Sequence, residues 1–240
     1  IGGYTKKSAT LASDFYKTFI LGKCSTTNAR TAELAKLSEN AFRDVNIAFA
    51  NELSIICDEL NINVYELINL SNLHPRVNIL KPGSGVGGHC IAIDPWFIVA
   101  SSKSNSKLIR TAREVNIRKT EWVFEQTKKE IDKLLKVKKD QIIIGIYGLT
   151  YKPNSDDIRE SPSLKIIDLL LNLQVKILVT DNNISKVSKS LEKKISLCSY
   201  DETAKKADIH LLLTAHSYFM DRTPLDGVIL DFTGLWSKQH

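Results

Sequence analysis

The last hundred residues of this 240-residue chain alternate between short β-branched segments and helical segments, which limits the possible folds more than any other feature. The β-branched segments predict four strands, at 141–149, 176–180, 209–214 and 228–232. Helices are predicted between them near 164–173 and 203–207, and Ser161 and Pro162 form a typical helix start. Strands that alternate with helices favour an α/β fold with a parallel, doubly wound sheet.

The middle of the chain has helical periodicity. A long helix is predicted from residue 29 to about 60, and its apolar side comprises Leu34, Leu37, Ala41, Val45, Ala48 and Ile56. Lys36, Asn40 and Arg43 lie on the opposite side, a pattern that is by itself typical of a solvent-exposed face. A second long helix is predicted over 108–136. Because a small number of helices buries little apolar surface without a partner, we predict that this region pairs with a second copy of the chain.

A glycine-rich loop separates the two long helices. Its sequence at 83–88, GSGVGG, matches the dinucleotide-binding pattern G-x-G-x-x-G. The context does not fit that pattern, because Lys81 and Pro82 precede it and no acidic residue follows about 20 positions later. We therefore interpret it as a loop whose backbone N–H groups approach a ligand closely and deliver the next side chain, Cys90.

Cys90 has the surroundings of a nucleophile. Glycines before it leave backbone donors free for a thiolate or an oxyanion, and Asp94 supplies a carboxylate four residues later. His89 is adjacent in sequence, and adjacent side chains seldom face each other, so it is interpreted as structural. The other cysteines, Cys24, Cys57 and Cys198, are too widely spaced for a zinc site or a disulfide framework and are predicted to be buried.

Composition limits the partners. The chain carries a net charge of +6, but its lysines are scattered, as on a solvated surface, so nucleic acid is not expected as a partner. No apolar run approaches the roughly 18 residues of a membrane span, and the first residues lack the apolar core of a signal peptide. We expect a cytoplasmic protein without membrane attachment, cut from a longer chain because it lacks an initiating Met.

Three sequence blocks together resemble the UDP-glucose/GDP-mannose dehydrogenase family. They are AELAKLSEN with FRDVNIAFANE at 32–52, GVGGHCIAIDPW at 85–96, and GLTYKPNSDDIRESP at 148–162. The resemblance implies three parts: residues 1–28 as the tail of an NAD-binding domain, 29–138 as a central helical dimerisation domain with the catalytic cysteine loop, and 139–240 as a UDP-sugar-binding, Rossmann-like domain.

The resemblance also implies the reaction. Residues 74–78 (HPRVN), the FRDVN stretch and the DPWF ending at 94–97 look most like the branch that oxidises UDP-N-acetyl-D-mannosamine. The family carries out a four-electron oxidation of an alcohol to a carboxylate with two NAD in succession. Cys90 would form a thiohemiacetal and then a thioester. Without the NAD-binding domain, the chain alone is expected to be inactive.

The implied site residues divide by role. Cys90 would be the nucleophile, Lys36 and Asn40 would stabilise negative charge on oxygen, and Asp94 would activate water and hold Lys36 charged. The implied substrate-binding residues are Arg76, which would reach a neighbouring subunit's substrate, Gly85, Gly87, Gly88 and Lys152. Arg159 would contact NAD across the cleft.

Other functions stay open on the sequence. One is a two-electron dehydrogenase or an acyl-transferring cysteine enzyme acting on another substrate, and another is a noncatalytic nucleotide-binding or dimerisation module. The sequence does not decide between UDP-N-acetyl-D-mannosamine, UDP-N-acetylglucosamine, UDP-glucose and GDP-mannose.

Overall fold

A helical region precedes a five-stranded parallel sheet in the computed structural model of this chain, which describes residues 1–236. The predicted α/β class, with helices followed by a parallel sheet, is confirmed. The division into three functional domains and the pairing of two copies remain predictions.

Residues 1–28 form a small unit before the first long helix. Two short parallel strands pair, and the helix between them has a capping box in which Thr5 and Ser8 bond each other's backbone N–H. The cap at Thr5 sets the start of this helix at Lys6, ahead of its apolar residues. The elements are β1 (Gly2–Gly3), α1 (Lys6–Lys17) and β2 (Thr27–Asn28).

The helical region is built on two long helices, α2 and α5, which run side by side in the same direction, since Asp44, Asn51 and Ser54 bond Arg113, Asn116 and Lys119 in turn. The side chain of Asn28 caps α2 by accepting a hydrogen bond from the Thr31 N–H. The four helices are α2 (Ala29–Glu59), α3 (Val64–Ser71), α4 (Asp94–Ser101) and α5 (Lys107–Leu134). Both long helices match the sequence prediction closely, whereas α4 follows the cysteine loop in a segment where no helix was predicted.

A buried polar network joins α2 to α5. Arg113 donates to the Asp44 carboxylate at 2.6 Å, and Asn116 donates to the same carboxylate at 2.8 Å. Asn51 donates to Asn116 at 2.9 Å. Burial raises the pKa of Asp44 despite the opposing charge and hydrogen bond of Arg113. Removing either partner of this pair would leave a buried charge without compensation.

The sheet is entirely parallel, with strand order β5-β4-β3-β6-β7. Its elements are β3 (Ile143–Tyr147), α6 (Pro162–Leu170), β4 (Lys176–Thr180), α7 (Lys189–Glu192), β5 (Ser196–Leu197), α8 (Tyr200–Lys206), β6 (Ile209–Leu212) and β7 (Val228–Asp231). The four predicted strands are present. The two-residue β5 and the four-residue α7 were missed because they are too short to show periodicity.

Both faces of the sheet are covered. Ile144 and Ile146 of β3 pack with α5 and α6, whereas Tyr147 belongs to a separate aromatic cluster with Phe219 and Trp236. Successive strand residues point to opposite faces, which accounts for the two clusters. The C-terminal half of α5, with Val123 and Ile131, lies in the sheet's core, so α5 physically joins the helical region to the sheet.

Within residues 1–236, no helix combines the length and apolar character that crossing a membrane requires.

Candidate active site

A cavity of about 490 Å³ opens where α2, the glycine loop and the segment after β3 meet. It brings together eight of the ten predicted site residues: Lys36, Asn40, Gly85, Gly87, Gly88, Cys90, Lys152 and Arg159. Asp94 lies behind this lining. Arg76 is exposed in the 72–81 segment and does not line the cavity.

Cys90 is exposed at the cavity and stands one turn before α4. Its carbonyl accepts hydrogen bonds from the Asp94 N–H at 2.8 Å and the Ile93 N–H at 3.1 Å. This turn places Cys90 and Asp94 on the same side of the chain. Asn40 donates to the Asp94 carboxylate at 2.6 Å, so the cysteine loop is tied to α2 through that carboxylate.

Lys36 does not make the contact that was predicted for it. Its ammonium pairs with Glu39 at 3.0 Å, and both side chains are about two-thirds exposed. Asp94 instead bonds Asn40, because Asn40 is buried on α2 directly opposite the α4 start. An exposed pair such as Lys36–Glu39 contributes little to stability, which leaves the ammonium free to turn into the cavity.

The glycines of the cysteine loop are required by close packing against the segment after β3. A Cβ on Gly87 would stand 2.5 Å from the Glu160 carbonyl oxygen, and one on Gly88 would stand 2.7 Å from the Tyr151 ring. Gly88 also has φ +84°. Its N–H donates to the Arg159 carbonyl at 2.9 Å. That N–H is therefore used within the protein, contrary to the expectation that it faces a ligand.

The base of the loop is anchored to both structural regions. The Gly83 N–H donates to the Asn51 side chain at 2.9 Å, and Thr120 donates to the Ser84 carbonyl at 3.0 Å. The Ser84 hydroxyl donates to the Leu213 carbonyl, after β6, at 3.2 Å. Because Asn51 is part of the buried network between α2 and α5, the position of Cys90 depends on that network.

Lys152 and Arg159 reach the cavity from the segment after β3. The Arg159 guanidinium donates to both oxygens of the Asp157 carboxylate, at distances from 2.7 Å to 3.1 Å, and its backbone N–H donates at 3.0 Å; these hydrogen bonds lower the pKa of Asp157 to about 2. The Arg159 side chain is nevertheless 66% exposed. The Lys152 ammonium lies 5.6 Å from the Tyr151 ring centroid.

Arg43 and Tyr151 are among the cavity-lining residues to which the sequence analysis gave no role. Arg43 had been placed on the polar side of α2, one and two turns from Asn40 and Lys36, so its position was visible in the helical pattern. Tyr151 stands beside Lys152 in the third block, but its contact with Gly88 depends on the tertiary structure. With Arg43, four cationic side chains line the cavity: Lys36, Arg43, Lys152 and Arg159.

The remaining cysteines differ in exposure. Cys57 is buried as predicted, but Cys24 and Cys198 are partly exposed, so that prediction was wrong for two of the three. Across residues 1–236, no group of His, Cys, Asp and Glu side chains is arranged to hold a metal ion.

An exposed thiol in a cationic cavity, held between a helical region and a parallel sheet, is suited to an anionic ligand bound beside a reactive side chain. Residues 30–118 match the central domain of the UDP-glucose/GDP-mannose dehydrogenase family, and residues 145–237 match the UDP binding domain of the same family. The chain belongs to the UDP-glucose/GDP-mannose dehydrogenase family.

Individual relatives are similar along nearly the whole chain. The UDP-N-acetyl-D-mannosamine dehydrogenase of Escherichia coli K12 is 50% identical over 223 residues, which are 91% of this chain and 53% of the relative. The NDP-N-acetyl-D-galactosaminuronic acid dehydrogenase of Ralstonia solanacearum is 46% identical over 244 residues, covering 100% of this chain and 56% of the relative. This chain thus spans about half the length of the curated relatives it matches.

A solved structure gives the same picture. The UDP-D-ManNAc dehydrogenase of Pyrococcus horikoshii superposes with a TM-score of 0.82 at 37% identity, covering 98% of this chain and 55% of that protein.

Proposed function

We propose that this chain is the substrate-binding and cysteine-bearing part of an NAD-dependent dehydrogenase that oxidises UDP-N-acetyl-D-mannosamine to UDP-N-acetyl-D-mannosaminuronate. Its parts would be the three that the sequence implied, with 1–28 as the tail of an NAD-binding domain, 29–138 as the central domain and 139–240 as the UDP-sugar-binding domain. The proposal rests above all on the Cys90 cavity, in which four cationic side chains surround a single exposed thiol.

The charge of the cavity supports an anionic substrate. Lys36 and Arg43 come from α2, and Lys152 and Arg159 come from the segment after β3, so the cations face each other across the cavity. A diphosphate bridging the two regions would offset this charge. The mannosamine sugar follows the E. coli relative, a UDP-N-acetyl-D-mannosamine dehydrogenase, and the Ralstonia relative makes a galactosamine derivative the alternative.

In the proposed mechanism, Cys90 acts after the alcohol has been oxidised to an aldehyde. Its thiolate attacks the carbonyl carbon, the C–S bond forms, and the oxygen takes up a proton to give a thiohemiacetal. Loss of a hydride from that carbon and of the hydroxyl proton gives a thioester, and water then releases the carboxylate and the thiol. NAD, when bound, accepts one hydride in each of the two oxidations.

The residues near Cys90 would stabilise or orient the oxygen atoms that take part in the reaction. Lys36 and Asn40 lie one turn apart on α2 and face the cavity, where a cation and an amide donor stabilise an alkoxide. Asp94, held by Asn40, would orient the water that attacks the thioester. The substrate-facing residues would include Gly85, Gly87 and the ammonium of Lys152, and Arg76 would reach the site of a second subunit.

Within residues 1–236, Arg159 is the one side chain that we assign to NAD. The exposed Arg159 guanidinium at the cavity rim suits a phosphate-bearing cofactor. The glycine loop does not offer NAD a second contact, because it lies between α3 and α4 and lacks the preceding strand of a dinucleotide site. We therefore propose that NAD is held mainly by a separate domain and that this chain by itself does not turn over.

Calorimetric titration of the chain tests the proposal. UDP and UDP-N-acetyl-D-mannosamine should bind saturably, more tightly than GDP-mannose, and NAD should bind weakly. Lys152→Ala should weaken UDP-sugar binding by about 1.5–3 kcal/mol, the loss of a charge-assisted hydrogen bond. Lys165→Ala is the matched control, because Lys165 is exposed on α6 outside the Cys90 cavity. Tight NAD binding, or no binding of any UDP compound, would contradict the proposal.

A further inference from the structure

The backbone turn that carries Lys152 is hydrogen-bonded to a buried histidine on the side away from the cavity. The turn follows β3, and its last residue, Asn154, has φ +54°. Among the described residues, the Lys152 ammonium makes no hydrogen bond, and its nearest aromatic neighbour is the Tyr151 ring at 5.6 Å. The place of this ammonium in the cavity is therefore set by the backbone of the turn.

His216 bonds the turn at both ends. The Asn154 N–H donates to His216 Nδ1 at 3.0 Å, and His216 Nε2 lies 3.2 Å from the Thr150 hydroxyl. Thr150 in turn donates to the carbonyl of Lys152 at 2.8 Å. The imidazole thus contacts the residues on either side of Lys152, and it is fully buried.

The hydrogen bonds select one form of the imidazole. Nδ1 accepts from the Asn154 N–H, so it carries no proton. Nε2 faces the Asp181 carboxylate at 3.2 Å and must therefore be the N–H. The Thr150 hydroxyl donates its own proton to the Lys152 carbonyl, so it accepts a hydrogen bond from the same Nε2–H.

Asp181 connects the histidine to the sheet. Burial alone would raise the pKa of this carboxylate, but hydrogen bonds from His216 and from the N–H groups of Leu149 and Asn183 lower it. The Leu149 bond is 2.7 Å. Asp181 follows β4, the turn follows β3 and His216 follows β6, so the carboxyl ends of three adjacent strands meet at this one imidazole.

We propose that His216 is a positioning residue that fixes the Lys152 ammonium in the nucleotide-sugar cavity, acting as a neutral Nε2–H imidazole oriented by Asp181. This inference rests on the proposed function, in which Lys152 contacts the UDP-sugar. His216 does not line the cavity, so its effect passes through the turn. Both ring nitrogens contact the turn, while Nδ1 also lies 2.9 Å from the Asn183 side-chain amide and Nε2 faces Asp181.

A double-mutant cycle on UDP-sugar affinity tests the coupling. His216→Phe keeps an aromatic ring beside Phe219 but removes the acceptor of the Asn154 N–H and one of the donors to the Asp181 carboxylate. It should weaken UDP-sugar binding about 5- to 10-fold in the parent chain and less than about twofold in a Lys152→Ala background.

His216→Asn, whose side-chain oxygen replaces the Nδ1 acceptor, should recover most of the affinity.

Two outcomes would overturn the proposal. One is an equal loss of affinity on His216→Phe with and without Lys152, which would assign His216 to the fold alone. The other is an Nδ1–H tautomer in long-range ¹H–¹⁵N spectra of the parent chain, a measurement that remains decisive if His216→Phe does not fold. Failure of the proposed function is separate, because the parent chain would then bind no UDP compound at all.

Discussion

At the scale of single residues, the two groups with the clearest chemical consequences are Cys90 and Lys119. Cys90 is the exposed thiol of the cavity. Lys119 is buried on α5, where it donates to Ser54 at 2.7 Å and lies 3.7 Å from the Trp122 ring centroid. Cys90 was predicted from its sequence surroundings, whereas the burial of Lys119 follows only from the packing of α5.

Cys90→Ser should stop uronate formation while it leaves UDP-sugar affinity within about twofold. A serine hydroxyl has a far higher pKa than a thiol near 8.5 and is a poor nucleophile without a dedicated base. The measurement is product formation in the protein joined to an NAD-binding domain, with Cys198→Ser as control because Cys198 lies outside the cavity. Uronate release at near the parental rate would remove Cys90 from the mechanism.

Lys119 should make the protein more stable as the pH rises above neutrality. Burial lowers its pKa from 10.5 to about 7, against an opposing effect of Asp58. Between these values the unfolded chain binds more protons than the folded chain, so the free energy of unfolding gains up to about 1.4 kcal/mol per pH unit from this group. The cost of burying the charge is full below pH 7 and disappears above 10.5.

Urea unfolding of Lys119→Met at pH 7 and pH 9 checks this expectation. The variant should lose most of the stability gain between the two pH values, whereas Lys128→Met, at an exposed site on the same helix, should keep it. Equal pH slopes in the parent and Lys119→Met would show that Lys119 titrates as an exposed lysine does.

At the scale of elements, the glycine loop is the part whose conformation most depends on its sequence. Gly88→Ala should destabilise the protein by about 1–3 kcal/mol, because its φ of +84° disfavours a side chain and the new Cβ would meet the Tyr151 ring. Gly83→Ala is the matched control in the same loop, since a Cβ there has no atom within 4 Å. Equal unfolding free energies for the two variants would contradict this account of the loop.

The sequence predicted the long and regular elements better than the short ones. Apolar periodicity located α2 and α5, and β-branched runs located the four longer strands, because these elements bury whole faces. The helix α4 was missed since its eight residues follow a loop and lack a side-chain cap. At the site, the sequence motifs identified residues but not their contacts. The hydrogen bonds of Asn40 with Asp94 and of His216 with Asn154 join residues 54 and 62 positions apart, which no local pattern predicts.

At the scale of the whole molecule, the apolar surface that α2 leaves exposed coincides only in part with the predicted apolar stripe, sharing Leu34 and Ile56 with it. Ala41 and Ala48 of the predicted stripe are buried within the chain. Phe42, Phe49 and Ile56 remain exposed and follow each other at seven-residue intervals, the spacing of a helical seam. We call these three residues the outer face of α2.

The outer face of α2 should hold two copies of the chain together. Sedimentation at tens of micromolar should give a dimer, and Phe49→Glu should give a monomer because it places a charge in an apolar interface. Phe15→Glu, at another exposed aromatic on α1, should leave the dimer intact. A monomeric parent chain, or a dimer broken by Phe15→Glu instead, would refute this interface.

The packing of the cysteine loop against both regions has a mechanical consequence. Bonds from Gly83 to α2 and from Gly88 to the Arg159 carbonyl tie α2 and the segment after β3 to the same loop. The β1–α1–β2 unit packs on the first turns of α2, where Gly2 lies against Ala29 and Ala32. If that unit turned about the β2–α2 junction, α2, about 46 Å long, would act as the lever arm. A rotation of about 5° there would displace the far end of α2 by roughly 4 Å.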